Sequence, residues 1–173
     1  MYRLLFILAF LLMADVACAQ PRALGGTFSY SGIGITYEHE IDNDSFIDAQ
    51  LRAETASAFT YGNIAPGISA SFTWNMMFAG TESRNGNQIR FYAGPGLALG
   101  IADDLKAVSG MFFGLKGRVG CECEFPRRVV LSLSLAPVLG AHLKNESGSI
   151  IMLPYKMGLL YGIMPEVGIK YAF

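Results

Sequence analysis

The stretch ISASFTWNMMFA, residues 68–79, decides the fold. Ile68, Ala70, Phe72, Trp74, Met76 and Phe78 form one apolar phase, while Ser69, Ser71, Thr73, Asn75 and Met77 fill the other. A period of two puts these sets on opposite faces of a β-strand. Just before it, Ile47, Ala49, Leu51 and Ala53 alternate with Asp48, Gln50, Arg52 and Glu54. Earlier still, Ile33, Ile35 and Tyr37 oppose Gly34, Thr36, Glu38 and Glu40.

The pattern continues downstream. Phe91, Ala93, Pro95, Leu97, Leu99 and Ile101 form one phase, followed by Met111, Phe113, Leu115 and Val119 in the next segment. Val129, Leu131, Leu133, Leu135 and Leu139 come next, then Leu153, Tyr155, Met157, Leu159 and Tyr161, then Val167, Ile169, Tyr171 and Phe173. Turn chemistry separates the segments at Asp42-Asn43-Asp44, Gly62-Asn63, Asn85-Gly86, Asp103-Asp104 and Asn145-Glu146-Ser147-Gly148. The reading is all-β with eight strands, the boundary between the last two falling near Gly162 to Pro165.

At 173 residues the chain has the length of one domain. A net charge of −1 and a pI near 6.1 exclude the basic footprint of a nucleic-acid binder. An apolar content of 52% with 16% charged residues excludes disorder.

Residues 1–19 read as a cleaved secretory signal: Arg3, the apolar run 4–13, then Ala17-Cys18-Ala19 before Gln20. Ten apolar residues are too few for a transmembrane helix, which needs about 20. An acylated Cys18 is the competing reading, but Asp15 stands where a lipoprotein signal wants an apolar residue. The domain is then residues 20–173.

With the phases fixed by the apolar residues, the charged ones fall on the other side. Arg52, Arg90, Lys116, Arg118, Arg128, Lys156 and Lys170, with Glu38, Glu40, Asp48, Glu54 and Glu166, all lie on the polar phase. A soluble barrel would have to pack the aromatic phase inside, whereas a membrane barrel turns it to lipid around a narrow polar lumen. Only a closed barrel satisfies every backbone group in hydrocarbon with strands. The expectation is an eight-stranded antiparallel transmembrane barrel.

The terminal VGIKYAF, with Tyr171 and Phe173, and the glycine-alternating FYAGPGLALGI, residues 91–101, resemble small Gram-negative outer-membrane β-barrel proteins. The likeness is to the OmpX-like and OmpA-like eight-stranded class and the Bacteroidetes-type outer-membrane barrel domain, over about 154 residues. It implies an outer-membrane location with both termini in the periplasm, contact with lipid and lipopolysaccharide, and Tyr171 and Phe173 as the signal read by the barrel-assembly machinery. One departure is that every connection reads as short, leaving little loop for an adhesin or receptor surface.

Cys121 and Cys123 fall between the fifth and sixth segments; in an exported protein they could close a small disulfide or hold a soft metal, though no second pair completes a zinc site. His39 lies between Glu38 and Glu40, and His142 precedes Ser147 and Ser149; both read as rim residues, without the spacing of a barrel lipid hydrolase. Glu40, Asp42, Asn43 and Asp44 could bind Ca²⁺, but a hairpin turn requires the same residues. Gly94-Pro95-Gly96 lacks the lysine and helix of a phosphate loop and reads as relief of crowding in a strand. No residue is assigned a catalytic, cofactor or metal role. A structural or interaction role leads, with a small porin-like channel second and a lipid A or phospholipid-modifying enzyme third.

Overall fold

The computed structural model describes residues 22–55, 67–83, 86–104, 108–146 and 149–173. The strands are β1 (Arg22–Phe28), β2 (Gly32–Asp42), β3 (Ser45–Glu54), β4 (Gly67–Glu82), β5 (Gln88–Asp104), β6 (Val108–Glu124), β7 (Val129–Leu135), β8 (Val138–Glu146), β9 (Ser149–Pro154) and β10 (Glu166–Ala172). One helix, α1 (Lys156–Gly162), interrupts the last stretch. Residues 1–19, read above as a signal, and the Gly62-Asn63 turn lie outside the described residues, as do Asn85, Ser147 and Gly148.

Strands β1 to β6 pair in hairpin order. β6 then pairs with both β7 and β8 in one unbroken register, Val119↔Leu135 and Lys116↔Val138, so β7 and β8 are halves of one wall strand. The break falls at Ala136-Pro137, where proline has no N–H for the ladder. β9 follows beside β8 and β10 beside β7, and β10 closes the ring on β1 through Gly26↔Ile169. The result is a closed eight-stranded antiparallel barrel. Arg22 and Phe173 exchange backbone hydrogen bonds, marking the end of the barrel that also carries the β2–β3, β4–β5 and β6–β7 connections.

Two strands differ from the sequence reading, and the differences cancel in the count. β1 was not anticipated: RALGGTF turns only Leu24 and Phe28 outward as large apolar residues, too weak an alternation to register. The seventh and eighth expected strands are instead one barrel strand, β9 and β10, interrupted by α1. Eight wall positions, Ser134 to Ala141, face thirteen positions from Pro154 to Glu166, and the helix takes up the excess. Lys156, Met157, Leu159 and Leu160 are helix formers without branching at Cβ, and Pro165 follows the helix. Met157 and Tyr161, spaced i and i+4, form its buried face, a spacing that period two mimics.

The two phases take opposite sides of the wall. Leu115 is 66% exposed and Leu97 59%, with Phe72, Trp74, Leu133 and Ile169 also facing outward. Glu38, Asp48, Gln50, Lys116, Arg118, Glu166 and Lys170 are buried inside. Two residues leave the expected interior set: Lys156 is exposed on α1, and Arg128, exposed with φ 63°, sits in the β6–β7 turn. Glycines permit close approach inside; a Cβ at Gly94 would collide with the Trp74 carbonyl oxygen, and one at Gly140 with that of Phe113.

The connections are not uniformly short. The interval from Glu54 to Gly67 is the longest between barrel strands, at the end opposite the termini. The β1–β2 turn at that end is tight, with Ser29 N donating to Gly32 O at 2.9 Å.

Candidate functional site

The middle of the lumen is crossed by ion pairs joining strands far apart in sequence. Arg118 on β6 lies 2.7 Å from Asp48 on β3 and 3.4 Å from Glu166 on β10. Lys170 on β10 pairs with Glu38 on β2 and Glu122 on β6. Arg52 pairs with Glu166, and Arg90 with Glu40 at 2.5 Å and Glu122 at 3.5 Å. Neutral groups complete the net: Thr36 donates to Asp48 at 2.7 Å, and Gln50 Nε2 to Glu166 at 2.9 Å. Aromatic rings fill the remaining width, Phe46 meeting Tyr92 edge-on at 5.0 Å and the Arg118 guanidinium lying 5.5 Å from the Tyr92 ring centre. Burial makes such charges costly alone, so each needs its partners.

This plug divides the interior. Toward the termini lies a cavity of ≈ 240 Å³, bordered by Arg22, Glu38, Glu40, Gln88, Arg90 and Glu124. At the opposite end lies a smaller cavity of ≈ 60 Å³ with unlike walls. One wall is polar, from Ser29, Ser31, Arg52, Glu54, Ser69 and Ser71. The other is an apolar cluster, Ala98, Ala102, Phe112, Tyr155, Met157 and Tyr161, backed by Val138. Phe112 and Tyr155 stack at 4.3 Å, and Tyr30 in the β1–β2 turn reaches Tyr161 at 5.1 Å. Lys116 also lines this cavity, its Nζ donating to Gln50 Oε1 at 2.7 Å and Ser71 Oγ at 2.8 Å.

The structure relocates several sequence candidates. Cys121 and Cys123 lie inside β6, not in a connection, paired across to Phe91 and Ile89 on β5. Both are free thiols on the outward phase. Two residues apart on a strand, their Cα atoms are about 6.7 Å apart, near the upper limit for a disulfide. His142 is buried in β8, not in a loop, with Nε2 3.0 Å from the Ala102 carbonyl and its ring stacked on Tyr155. His39 faces outward from β2, stacked on Tyr37 at 6.4 Å. Among the described contacts neither histidine has a serine partner.

Asp42 accepts from Asp44 N–H at 3.0 Å in the β2–β3 hairpin. Bonds from the Ser45 side chain and the Asp44 N–H hold its carboxyl below the ordinary aspartate range. Glu40 is engaged by Arg90. Tyr171 and Phe173 both face outward at the terminal end.

Sequence reading missed Glu122 and Tyr155 as lumen residues. Glu122 was legible, because the phase through Lys116, Arg118 and Gly120 continues to it. Tyr155 is expected on the lipid phase, but the pairing of β9 with β8 sets Leu153 opposite the inward His142, so the same phase carries Tyr155 inside.

No protein-family model, curated protein or solved structure matches the chain. What defines the molecule is its architecture, a closed eight-stranded antiparallel barrel with a charged interior and an apolar exterior.

Proposed function

We propose that the chain is an integral outer-membrane barrel with both ends of the described chain toward the periplasm, acting through structure or interaction and not catalysis. The observation carrying this reading is the inversion of polarity. Large apolar side chains cover the exterior around the whole wall, while lysines, arginines and carboxylates occupy the interior. In water such a surface would be an extended apolar patch far beyond that of soluble monomers. In a bilayer it meets hydrocarbon, and the ring closed through β1 and β10 pairs backbone groups on both edges of the strands it joins.

The partners are then outer-membrane lipid and lipopolysaccharide, with Tyr171 and Phe173 presented to the assembly machinery. The ion-pair plug favours a closed barrel over a small channel, since every pair crossing the lumen blocks water as well as ions.

The test is fractionation combined with electrophoresis of unboiled and boiled samples. The expected result is sedimentation with outer membranes and a faster-migrating unboiled band. Recovery in the soluble periplasmic fraction, with mobility unchanged by boiling, would refute the proposal.

A further inference from the structure

The small cavity opposite the termini points to a binding site for a medium-chain carboxylate, an anionic head on an unbranched apolar tail. The head would sit at Lys116 and the tail along the aromatic wall above it. Three observations combine. Lys116 is 5% exposed, yet among the described residues no carboxylate lies within ion-pair distance of its ammonium. Its two acceptors, Gln50 Oε1 and Ser71 Oγ, are neutral and leave one of three N–H donors unused. A buried charge without a counter-charge is costly, and an anion entering the cavity would remove that cost. Arg52 is already paired with Glu166, and the other carboxylate lining the cavity, Glu54, accepts from Ser69 Oγ at 2.5 Å and lies beyond ion-pair distance of Lys116, so the cavity offers one ammonium without a direct ion-pair partner, suited to a monoanion.

The second observation is the cavity's size. At ≈ 60 Å³ it holds a few waters, enough for a carboxylate and the first carbons but not a long chain. The third is what lies beyond. Phe112 stands four residues from Lys116 along β6, about 13 Å at the rise of a strand, stacked on Tyr155. Leu153 on β9 pairs across to the inward-facing His142, so it shares the inner face, as does Ile151 opposite Lys144. Both remain substantially exposed, 44% and 38%, although they face the mouth of the lumen. An apolar track therefore leads away from an ammonium that has no direct ion-pair partner among the described residues.

The geometry rests on the lumen alone and adds a ligand to the structural barrel proposed above. The experiment is calorimetric titration of octanoate into phosphatidylcholine nanodiscs carrying the barrel, with empty nanodiscs subtracted and octanol as the uncharged control. The expected result is saturable binding of one octanoate per chain, with octanol at least about tenfold weaker. Lys116→Gln should weaken octanoate about tenfold to a hundredfold and leave octanol unchanged, the value of a charged hydrogen bond. Phe112→Ala should weaken both ligands. Equal affinity for octanoate and octanol, absence of saturable heat, or a Lys116→Gln barrel that binds octanoate as the parent does would each overturn the inference. If Lys116→Gln fails to give the heat-sensitive band, the octanoate–octanol comparison on the parent decides alone.

Discussion

Replacing Arg118 by methionine would remove the cation at the centre of the plug while preserving much of its volume. Its side chain is 1% exposed and faces Asp48, also 1% exposed, at 2.7 Å. It also approaches Glu166 at 3.4 Å and Ser134 Oγ at 3.4 Å. Glu166 would keep Arg52 and the Gln50 amide, so most of the damage falls on Asp48, left with the Thr36 hydroxyl. Stranding one member of a buried pair costs about 3–5 kcal/mol. Total stabilities are about 5–15 kcal/mol, so the loss is a large share. The assay is equilibrium urea unfolding in phosphatidylcholine vesicles, followed by circular dichroism and the unboiled gel band. Asp48→Asn combined with Arg118→Met removes both charges, and the double variant should be more stable than the sum of the single losses implies, by about 0.5–3 kcal/mol. An Arg118→Met barrel within about 1 kcal/mol of the parent, or strictly additive losses, would show that the pair does not hold the lumen together.

Three further outcomes follow from the same structure. Leu97→Arg, midway along β5 on the outer face, should cost about 2–4 kcal/mol in vesicles, and a stability unchanged there would contradict a lipid-facing exterior. Gly140→Val should abolish the heat-sensitive folded band, because the added side chain meets the Phe113 carbonyl of the paired strand; a normally folded variant would show that β6 and β8 do not approach so closely. Denatured without reductant, the protein should expose both Cys121 and Cys123 to maleimide, as read by mass spectrometry; a chain unlabelled at these two positions would mean that they are bonded to each other.

The elements that were legible in the sequence are those whose alternation is strong over many residues. β4 and β5 carry a large apolar residue at nearly every outward position, and the inward partners are small or polar, so the phase reads directly. β1 was hidden because glycine and threonine hold much of its seven-residue span, and its strand character comes from pairing with β2 and β10 on both edges. The segment 153–161 misled for a different reason. Tyr155, Met157 and Tyr161 satisfy period two, yet Met157 and Tyr161 also satisfy helical spacing, and the local sequence does not choose between them. The choice is made by the neighbouring wall, which has eight positions to match against thirteen.

By itself, then, the sequence determined which side chains face out and which face in wherever the alternation is long, as in β2 to β6. A period of two is a local property, and a ten-residue window contains it. Tertiary structure alone decided which charges meet. Lys170 and Glu38 are 132 positions apart and become neighbours only because β10 closes on β1. Closure likewise surrounds Arg118 with Asp48 and Glu166 while leaving Lys116, two residues along the same strand, with neutral partners. Those pairings depend on the stagger of strands around a ring, which no local pattern encodes.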